Sequence, residues 1–592
     1  MQLTEHRLLT DIVVAGGGAA GVPAALAAAR HGATVVLVQD RSVLGGNSSS
    51  EVRMHIVGAD GSGQVPHARE GGIIEELRLE DAVWNPQRSP HMWDQLLLDK
   101  VVAEPNITLL LNTSLDGVRM DGARRIVAVH AVRPSIEEEF WIEAAIFIDC
   151  TGDGRLGAEA GADFRMGREG RDEYGESRAV PQADCHTLGS SILFMARQYD
   201  RPMPFRKPSW VRTFRCADLP YRPHSNYEYG YWWIEWGGQF DTIRDNDRIR
   251  HELVRIAYGV WDHIKNSGDH PDSANWALEW VGAIPGKRES RRFLGPHILT
   301  QGDVESGRIF HDEVAFGGWP IDQHPPEGVD SPGPPCDQPR VPLYAIPLRC
   351  LYSRNVDNMF MAGRNISATH VAFASTRVMA TCAVVGQAAG TAAAFCVQRG
   401  LTAPDLAGET LVDLQQALLR ADAHLLGTRN ADPHDLARSA AVTASSALPG
   451  YEAAQLLSGV TRQVGEASNA WHSGPLVGGQ QWIELRWPAA RRIGWVQCTF
   501  DTGFVRPLRL TMSDQANRNV IRAPQPETVC DYRIEAEVNG VWQTLAEVQA
   551  NYQRRCVHHV AAVAATAVRL TVTATNGAPE ARLFELRAYA PD

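Results

Sequence analysis

The stretch 11–40, DIVVAGGGAAGVPAALAAARHGATVVLVQD, leaves the N-terminal part of this chain very little architectural freedom. A short apolar run at 12–15 enters glycines at 16, 18 and 21, a small-residue helical segment follows, and a second apolar run fills 34–38. That order is the βαβ unit of a dinucleotide-binding fold. Gly16 permits the tight turn, Gly18 lets the backbone approach a pyrophosphate, and Gly21 lets the helix pack close to the sheet, with phosphates resting on the helix N-terminus. A GxGxxG pattern alone also arises in ordinary Gly-rich turns. The strand-turn-helix-strand context is what gives it meaning here.

A chain of 592 residues exceeds what one core can organise, so two to four domains are expected. Its net charge of -12 supplies no basic footprint for nucleic acid. No apolar leader precedes the first strand, which predicts a cytoplasmic location. The run 380–397 is apolar and small, with Gly386, Gln387 and Gly390 inside it, and suits close packing against a cofactor or sheet better than a bilayer. The ten cysteines are scattered with no CxxC pair, which predicts neither a zinc knuckle nor a disulfide framework, and no metal.

After the βαβ unit, 41–50 reads RSVLGGNSSS, either a flexible loop or one lying over a bound cofactor, and 51–56 alternates in the manner of a half-buried strand that would put Glu51, Arg53 and His55 on one face. A helix is predicted over 92–103, a strand over 107–112, and a hairpin from 118–120 and 126–132 with its turn at Asp121 and Gly122. The run 142–148 leads into DCTGDG at 149–154. From 165 to 340 the α/β rhythm breaks and aromatic residues crowd in: Tyr221, Tyr227, Tyr229, Tyr231, Trp232, Trp233 and Trp236, then Trp261, Trp276 and Trp280. This region reads as an inserted substrate domain; most of its rings belong to a core and a few suit a cleft for sugar rings. Near its end, PGKRESRRF at 285–293 reads either as a salt-bridge network or as guanidinium groups fixed near a cofactor and substrate. From 341 the α/β pattern resumes, with a strand and Gly turn at 357–365, Ser367, Thr369 and His370 beyond it, and a long helix from about 375. Past a linker at 427–437, residues 438–592 show short alternating strands, the pattern of an all-β sandwich.

LGGNSSSEVRMH (44–55), DCTGDG (149–154), AGRNISATH (362–370) and RVMATCAVVGQAAGTA (377–392) together resemble the FAD-dependent oxidoreductase family with a glutathione-reductase-like FAD fold, whose members are often encoded beside carbohydrate-degrading enzymes and sometimes labelled xanthan lyase-like. The resemblance covers roughly 1–425 and implies FAD. It also implies a two-part FAD domain (1–164 and 341–426) around the substrate domain (165–340). Cofactor contacts are expected from Gly16, Gly18, Ala19, Ala20 and Gly21, from Gly45, Gly46, Asn47 and Ser48, from Thr151, Gly152 and Asp153, and from Gly363, Arg364, Thr376 and Arg377. Related folds close the second strand with an acid that grips the adenosine ribose; here Gln39 stands there with Asp40 beside it. The tail 438–592 resembles a discoidin or galactose-binding-like domain through SNAWHS (468–473), QWIEL (481–485), TFDT (499–502), DYRIE (531–535), NYQRR (551–555), TNG (575–577) and ARLFEL (581–586). Such domains bind glycans in many proteins and serve only packing or dimerisation in others, so a homodimer is compatible with it.

The expected reaction is removal of a hydride to flavin N5 from a hydroxyl-bearing carbon of a sugar, polyol or related polar small molecule. His55 and His370 are the candidate bases, and Arg53, Arg288 and Arg292 the candidates for orienting substrate oxygens. Two alternatives stand beside it: a redox-assisted cleavage of a glycoside, and a carbohydrate-binding protein whose flavin fold is not catalytic. No nucleic-acid or membrane partner is expected.

Overall fold

The apolar runs that flank the glycine loop become neighbouring strands at the centre of a sheet. The structure is a computed structural model describing residues 3–476 and 479–591, and its chain divides into two units. The first comprises Met1–Gly61, Arg88–Ala407 and Arg509–Arg518; the second comprises Ser62–Gln87, Gly408–Leu508 and Asn519–Asp592.

In the first unit, β1 (Thr4–Ala15), α1 (Gly21–Arg30) and β2 (Val35–Val38) form the βαβ unit, and α2 (Pro90–Val102) leads to β3 (Ile107–Leu110). A meander of β4 (Ser114–Asp121), β5 (Arg125–Arg133) and β6 (Glu138–Asp149) follows. The strand order is β3-β2-β1-β6-β5-β4. β6 changes partner along its length: Glu138–Glu143 pair antiparallel with β5, and Phe147 to Asp149 pair parallel with the strand Met359–Met361, here β7 once the long helix of the insert, α3 (Asn246–Asn266), is counted. Chain returning some 340 positions after the glycine loop thus closes the same sheet. β2 reads VVLV and is wholly buried, as expected of a parallel strand covered on both faces.

The inserted region has short antiparallel pairs, Ser190–Ser191 between Glu235–Trp236 and Gly286–Lys287, and Phe194–Gln198 against Trp276–Val281. α3 buries Ile249, Leu253, Ile256, Val260 and Ile264, spaced by four, three, four and four residues along one face, against Phe194, Tyr227, Tyr231 and Trp233. Most of the aromatic residues are therefore core.

Two local expectations are corrected. Residues 51–56 form turns rather than a strand, because Arg53 adopts φ 61, a left-handed value incompatible with an extended run. The predicted long helix is two: α4 (His370–Thr376) and α5 (Met379–Arg399), separated by Val378 in extended conformation. α5 is long and apolar enough to cross a membrane, and nearly all of it is buried against protein; Gly386 and Gly390 face the backbone of Ala20 and Ala24.

The second unit is an antiparallel sandwich-like sheet of β8 (Ala441–Ala444), β9 (Trp471–Pro475), β10 (Gln481–Phe500), β11 (Val529–Val538), β12 (Val541–Val548), β13 (Arg555–Thr575) and β14 (Glu580–Tyr589). Its order is β9-β14-β10-β13-β11-β12, with β8 on β10. Ile483, Leu485 and Trp487 alternate into its core. The helix Ile73–Trp84 belongs to this unit. Glu75 on it is buried against Arg69 (2.7 Å) and accepts from Thr502 Oγ1 (2.8 Å), and Arg69 also donates to the Arg506 carbonyl (2.6 Å).

Candidate active site

β1 delivers the chain to Gly16, whose φ of 98 and whose hypothetical Cβ, 2.4 Å from the Cys150 carbonyl oxygen, exclude any side chain. Gly21 starts α1 equally tightly: a Cβ there would lie 1.7 Å from the Gly16 oxygen. Gly18 is different. The first heavy atom a Cβ would meet is Gly46 Cα at 3.9 Å, so this face of the loop is open at the place a phosphate needs. α1 has Ala20 at its N-cap, no side-chain cap and no acid in its first turn; α5 likewise starts at Val378 without a side-chain cap. Neither N-terminus has a side-chain cap; Val22 N donates to Gly18 O and Ala380 N to Val57 O (3.1 Å each), and each helix dipole favours an anionic group at the remaining amides.

The other expected cofactor segments converge on this cradle. Asp149, at the end of β6, is buried and accepts from Thr151 N (3.0 Å), Thr151 Oγ1 (2.7 Å), Gly157 N (2.9 Å) and Asn365 Nδ2 (3.1 Å), stitching the 149–154 turn to the Gly363 turn. Burial raises its pKa. Burial alone would raise Asp153 too, but Lys287 Nζ at 2.5 Å and Arg364 Nη2 at 3.4 Å outweigh it and hold the carboxyl below the usual range. Arg364 keeps Nη1 buried without a hydrogen-bond partner, as does Asn365 with Oδ1. Buried polar atoms of this kind ask for a ligand. Asn47 Nδ2 donates to the Lys287 carbonyl (3.0 Å), and Ser48 Oγ braces its own loop through Gly45 O (2.9 Å) and Trp93 Nε1 (3.1 Å). These features fit the dinucleotide that the sequence implies.

Gln39 is buried and its amide is committed: Oε1 accepts from Gly17 N (2.7 Å) and Nε2 donates to Val43 O (3.1 Å). It braces the glycine loop, and the neighbouring Asp40 is the exposed carboxylate at the strand end. Thr376 is buried, and Arg377 donates to Asp322 Oδ2 (2.8 Å).

The candidate catalytic residues separate into two groups. Arg53, in its left-handed turn, lays its guanidinium 4.1 Å over the Trp280 ring and accepts at its carbonyl from Tyr229 OH. His55 is half-buried, with its ring 6.0 Å from that of Tyr229. Desolvation first, then the charges of Arg509 and Arg288, push its pKa down to about 4, so the imidazole is neutral near pH 7. Two residues on, Val57 O accepts from Ala380 N (3.1 Å), which sets this turn against the start of α5. Arg509 arrives on a segment with no sequence signal of its own: Leu510 O accepts from Ile56 N (3.0 Å), Asp514 N donates to Glu228 Oε2 (3.0 Å), and Asn226 Nδ2 donates to Gln515 Oε1 (3.1 Å).

Arg288, Arg292 and His370 are placed in buried charge networks. Arg292 engages all its nitrogens: Glu289, Glu169 Oε1 (2.6 Å), Gly167 O (2.8 Å) and Ala368 O (3.1 Å). His370 shares Nδ1 with Glu289 (3.0 Å), and its backbone N donates to Glu169 Oε2 (2.8 Å). Arg288 donates to Ser191 Oγ (2.8 Å) and Trp232 O (2.9 Å) and lies 3.4 Å from Glu235. From Glu235 the network runs through His324 (2.7 Å) to Asp322 (3.1 Å) and Arg377. Burial disfavours the His324 charge, but Glu235 and Asp322 outweigh it and raise its pKa. The salt-bridge reading of 285–293 is the one these contacts favour. Lys287 and Glu289 lie within that run, Asp149 lies inside DCTGDG, and Glu235 and His324 carry no sequence signal at all.

A family model described as FAD dependent oxidoreductase matches residues 11–418. No curated protein matches the chain. Among solved structures, chitosan-binding module 1 from the chitosanase/glucanase of Paenibacillus sp. IK-5 is similar at 20% identity over 26% of this chain and 98% of its own, with a TM-score of 0.20. CpGH89CBM32-5 from Clostridium perfringens, in complex with GalNAc-β-1,3-galactose, is similar at 17% identity over 26% of this chain and 99% of its own, with a TM-score of 0.20. The family 32 CBM from C. perfringens NanJ, in complex with galactose, is similar at 16% identity over 26% and 95%, with a TM-score of 0.19. With its glycine loop, its two uncapped helix starts and a match spanning most of its length, this chain belongs to the FAD-dependent oxidoreductase family and takes FAD as its cofactor.

Proposed function

We propose that this oxidoreductase oxidises a hydroxyl-bearing carbon of a sugar, polyol or related polar small molecule, with His55 accepting the hydroxyl proton as the carbon gives up its hydride. When bound, FAD supplies the two-electron acceptor. The 16–21 loop, Gly45 to Ser48, Thr151 to Asp153, Gly363 and Arg364, and the first turn of α5 would hold it.

The observation that carries this reading is the state of His55: an imidazole held neutral, enclosed yet still reachable, two residues from the contact with α5. A neutral ring has a free lone pair for a hydroxyl proton at pH 7. Arg53 is fixed by Trp280 and by Ser50 O (3.1 Å), so its orientation is set before any substrate arrives. The Trp280 and Tyr229 rings beside it are flat apolar faces of the kind that sugar rings lie against.

The test is anaerobic mixing of the purified flavoprotein with a panel of sugars and polyols, following loss of the oxidised flavin absorption. Bleaching by at least one member is expected, and His55→Gln should slow it about 10²- to 10⁴-fold with FAD content unchanged. If no member bleaches the wild-type flavin, or if His55→Gln reacts at the wild-type rate, the reading fails. Product analysis showing cleavage without net use of an electron acceptor would move the assignment to a redox-assisted lyase.

A further inference from the structure

Four side chains of the inserted region that take no part in the site above converge on one point. Cys216, His224, His263 and His270 bring one ligand atom each to within 4.8 Å of all the others. Cys216 begins a single helical turn, Cys216–Asp218; His263 lies in the last turn of α3, and His270 follows that helix. The spacings match no short ligand motif, which is why the scattered cysteines predicted no metal.

The geometry points to a bound cation. Cys216 Sγ lies 3.4 Å from His263 Nε2, and His263 Nε2 lies 3.2 Å from His270 Nε2. Tetrahedral zinc holds imidazole nitrogen at about 2.0–2.1 Å and thiolate sulfur at about 2.3 Å, which sets N···N near 3.3 Å and N···S near 3.6 Å. The two closest pairs therefore already have the edge lengths of a tetrahedral site. The rings stand edge-on, with centroids 5.2 Å apart for His224 and His263 and 5.0 Å apart for each of the other two pairs. Outer contacts orient the nitrogens: His224 Nδ1 donates to Arg222 O (2.6 Å), which leaves Nε2 with the lone pair, and His270 Nδ1 meets Tyr227 OH (3.3 Å). Asp269 Oδ2, 3.5 Å from Cys216 Sγ, adds negative charge beside the sulfur. A thiol and three imidazoles suit zinc among the abundant divalent ions.

We propose that Cys216, His224, His263 and His270 form a closed, structural zinc site. Four protein ligands leave no open position for chemistry. The ion would tie the 216–224 loop to the end of α3 and to the turn after it, fixing the strand of chain that continues to Tyr229.

Metal analysis of the full-length flavoprotein should find one zinc per chain. After chelation, cobalt titration should saturate at one equivalent with a thiolate-to-cobalt charge-transfer band; Cys216→Ser should lose that band and weaken binding by more than about 100-fold, with FAD absorption retained. Tyr227→Phe should weaken binding about 10-fold. Absence of saturable zinc and cobalt uptake by the wild-type chain overturns the proposal, and this result stands even if the Cys216 variant fails to fold. Undiminished zinc stoichiometry and affinity in a folded Cys216→Ser, His263→Ala double variant overturns it equally.

Discussion

A histidine that burial and two arginines hold uncharged has a pH signature that an ordinary surface histidine lacks. His55 titrates at about 4 in the fold and near the ordinary 6.5 when unfolded. Between those values the unfolded chain binds the extra proton, so stability from this group is complete above pH 6.5 and is lost as pH falls toward 4. Denaturant midpoints measured across that window should fall more steeply with acid in the wild type than in His55→Gln. The acid limb of the substrate-reduction rate should lie near pH 4 rather than near 6.5, read from single-turnover rates. Arg364 is the second residue with a sharp expectation. Its buried, unpartnered Nη1 marks a missing charge-assisted hydrogen bond, so Arg364→Met should weaken FAD binding by about 10- to 100-fold, the equivalent of about 1.5–3 kcal/mol. Fluorescence titration of the deflavinated protein measures it. His55 was legible as a candidate because it follows the LGGNSSS block directly. The pairing of Arg292 with Glu289, three residues away, was within reach of the salt-bridge reading of 285–293, but Glu169, 123 positions from Arg292, and the acids that hold His370 from 81 and 201 positions away were not.

At the scale of elements, the site depends on how closely two helices approach. Gly386 and Gly390 are one turn apart on α5, and a Cβ at either would sit 2.1 Å from the carbonyl oxygen of Ala20 or Ala24 on the α1 side. Because those contacts are to backbone, no side-chain rotation relieves them. Gly390→Val should destabilise the first unit by about 1–3 kcal/mol and displace the start of α1; chemical denaturation followed by FAD release measures both. The spacing of these glycines was visible in the sequence, and so was the small, apolar character of the run. The break between α4 and α5 was not, because neither Arg377 nor Val378 is a helix breaker like Gly or Pro, yet Val378 is extended. The 51–56 turn was misread for a related reason: alternation of polar and apolar residues marks a half-buried strand only where the backbone can extend, and Arg53 does not.

At the scale of the whole molecule, the division between units is not a single cut in the chain. Ser62–Gln87 leaves the nucleotide-binding part and folds into the second unit, where Glu75, Arg69 and Thr502 form a buried cluster. Burial alone would raise the Glu75 pKa, but Arg69 outweighs it and holds the carboxyl low, so the stability it contributes is present above the unfolded carboxylate range and lost as pH falls below it. Removing one partner of such a pair leaves a buried unpaired charge; Glu75→Gln should cost the second unit about 3–5 kcal/mol, measured as a shift of its unfolding midpoint. A chain truncated at residue 407 would keep Ser62–Gln87 without the strands it folds with. Limited proteolysis of that truncation should cut first within 62–87, whereas the intact chain should resist there.

The sequence by itself determined the parts that rest on local repetition. Three glycines within six positions between two apolar runs specify a βαβ nucleotide turn, and alternation over short windows specifies the β-rich tail, because both are properties of neighbouring residues on one backbone. Tertiary structure alone decided what the ionisable groups do. The state of His55, the capture of Arg292 and His370 by acids, and the meeting of Cys216 with three histidines all depend on burial and on charges a few ångströms away through space. Glu169 and Glu289 reach His370, and His263 reaches Cys216, from segments far apart in the chain, and linear spacing carries no record of their distance.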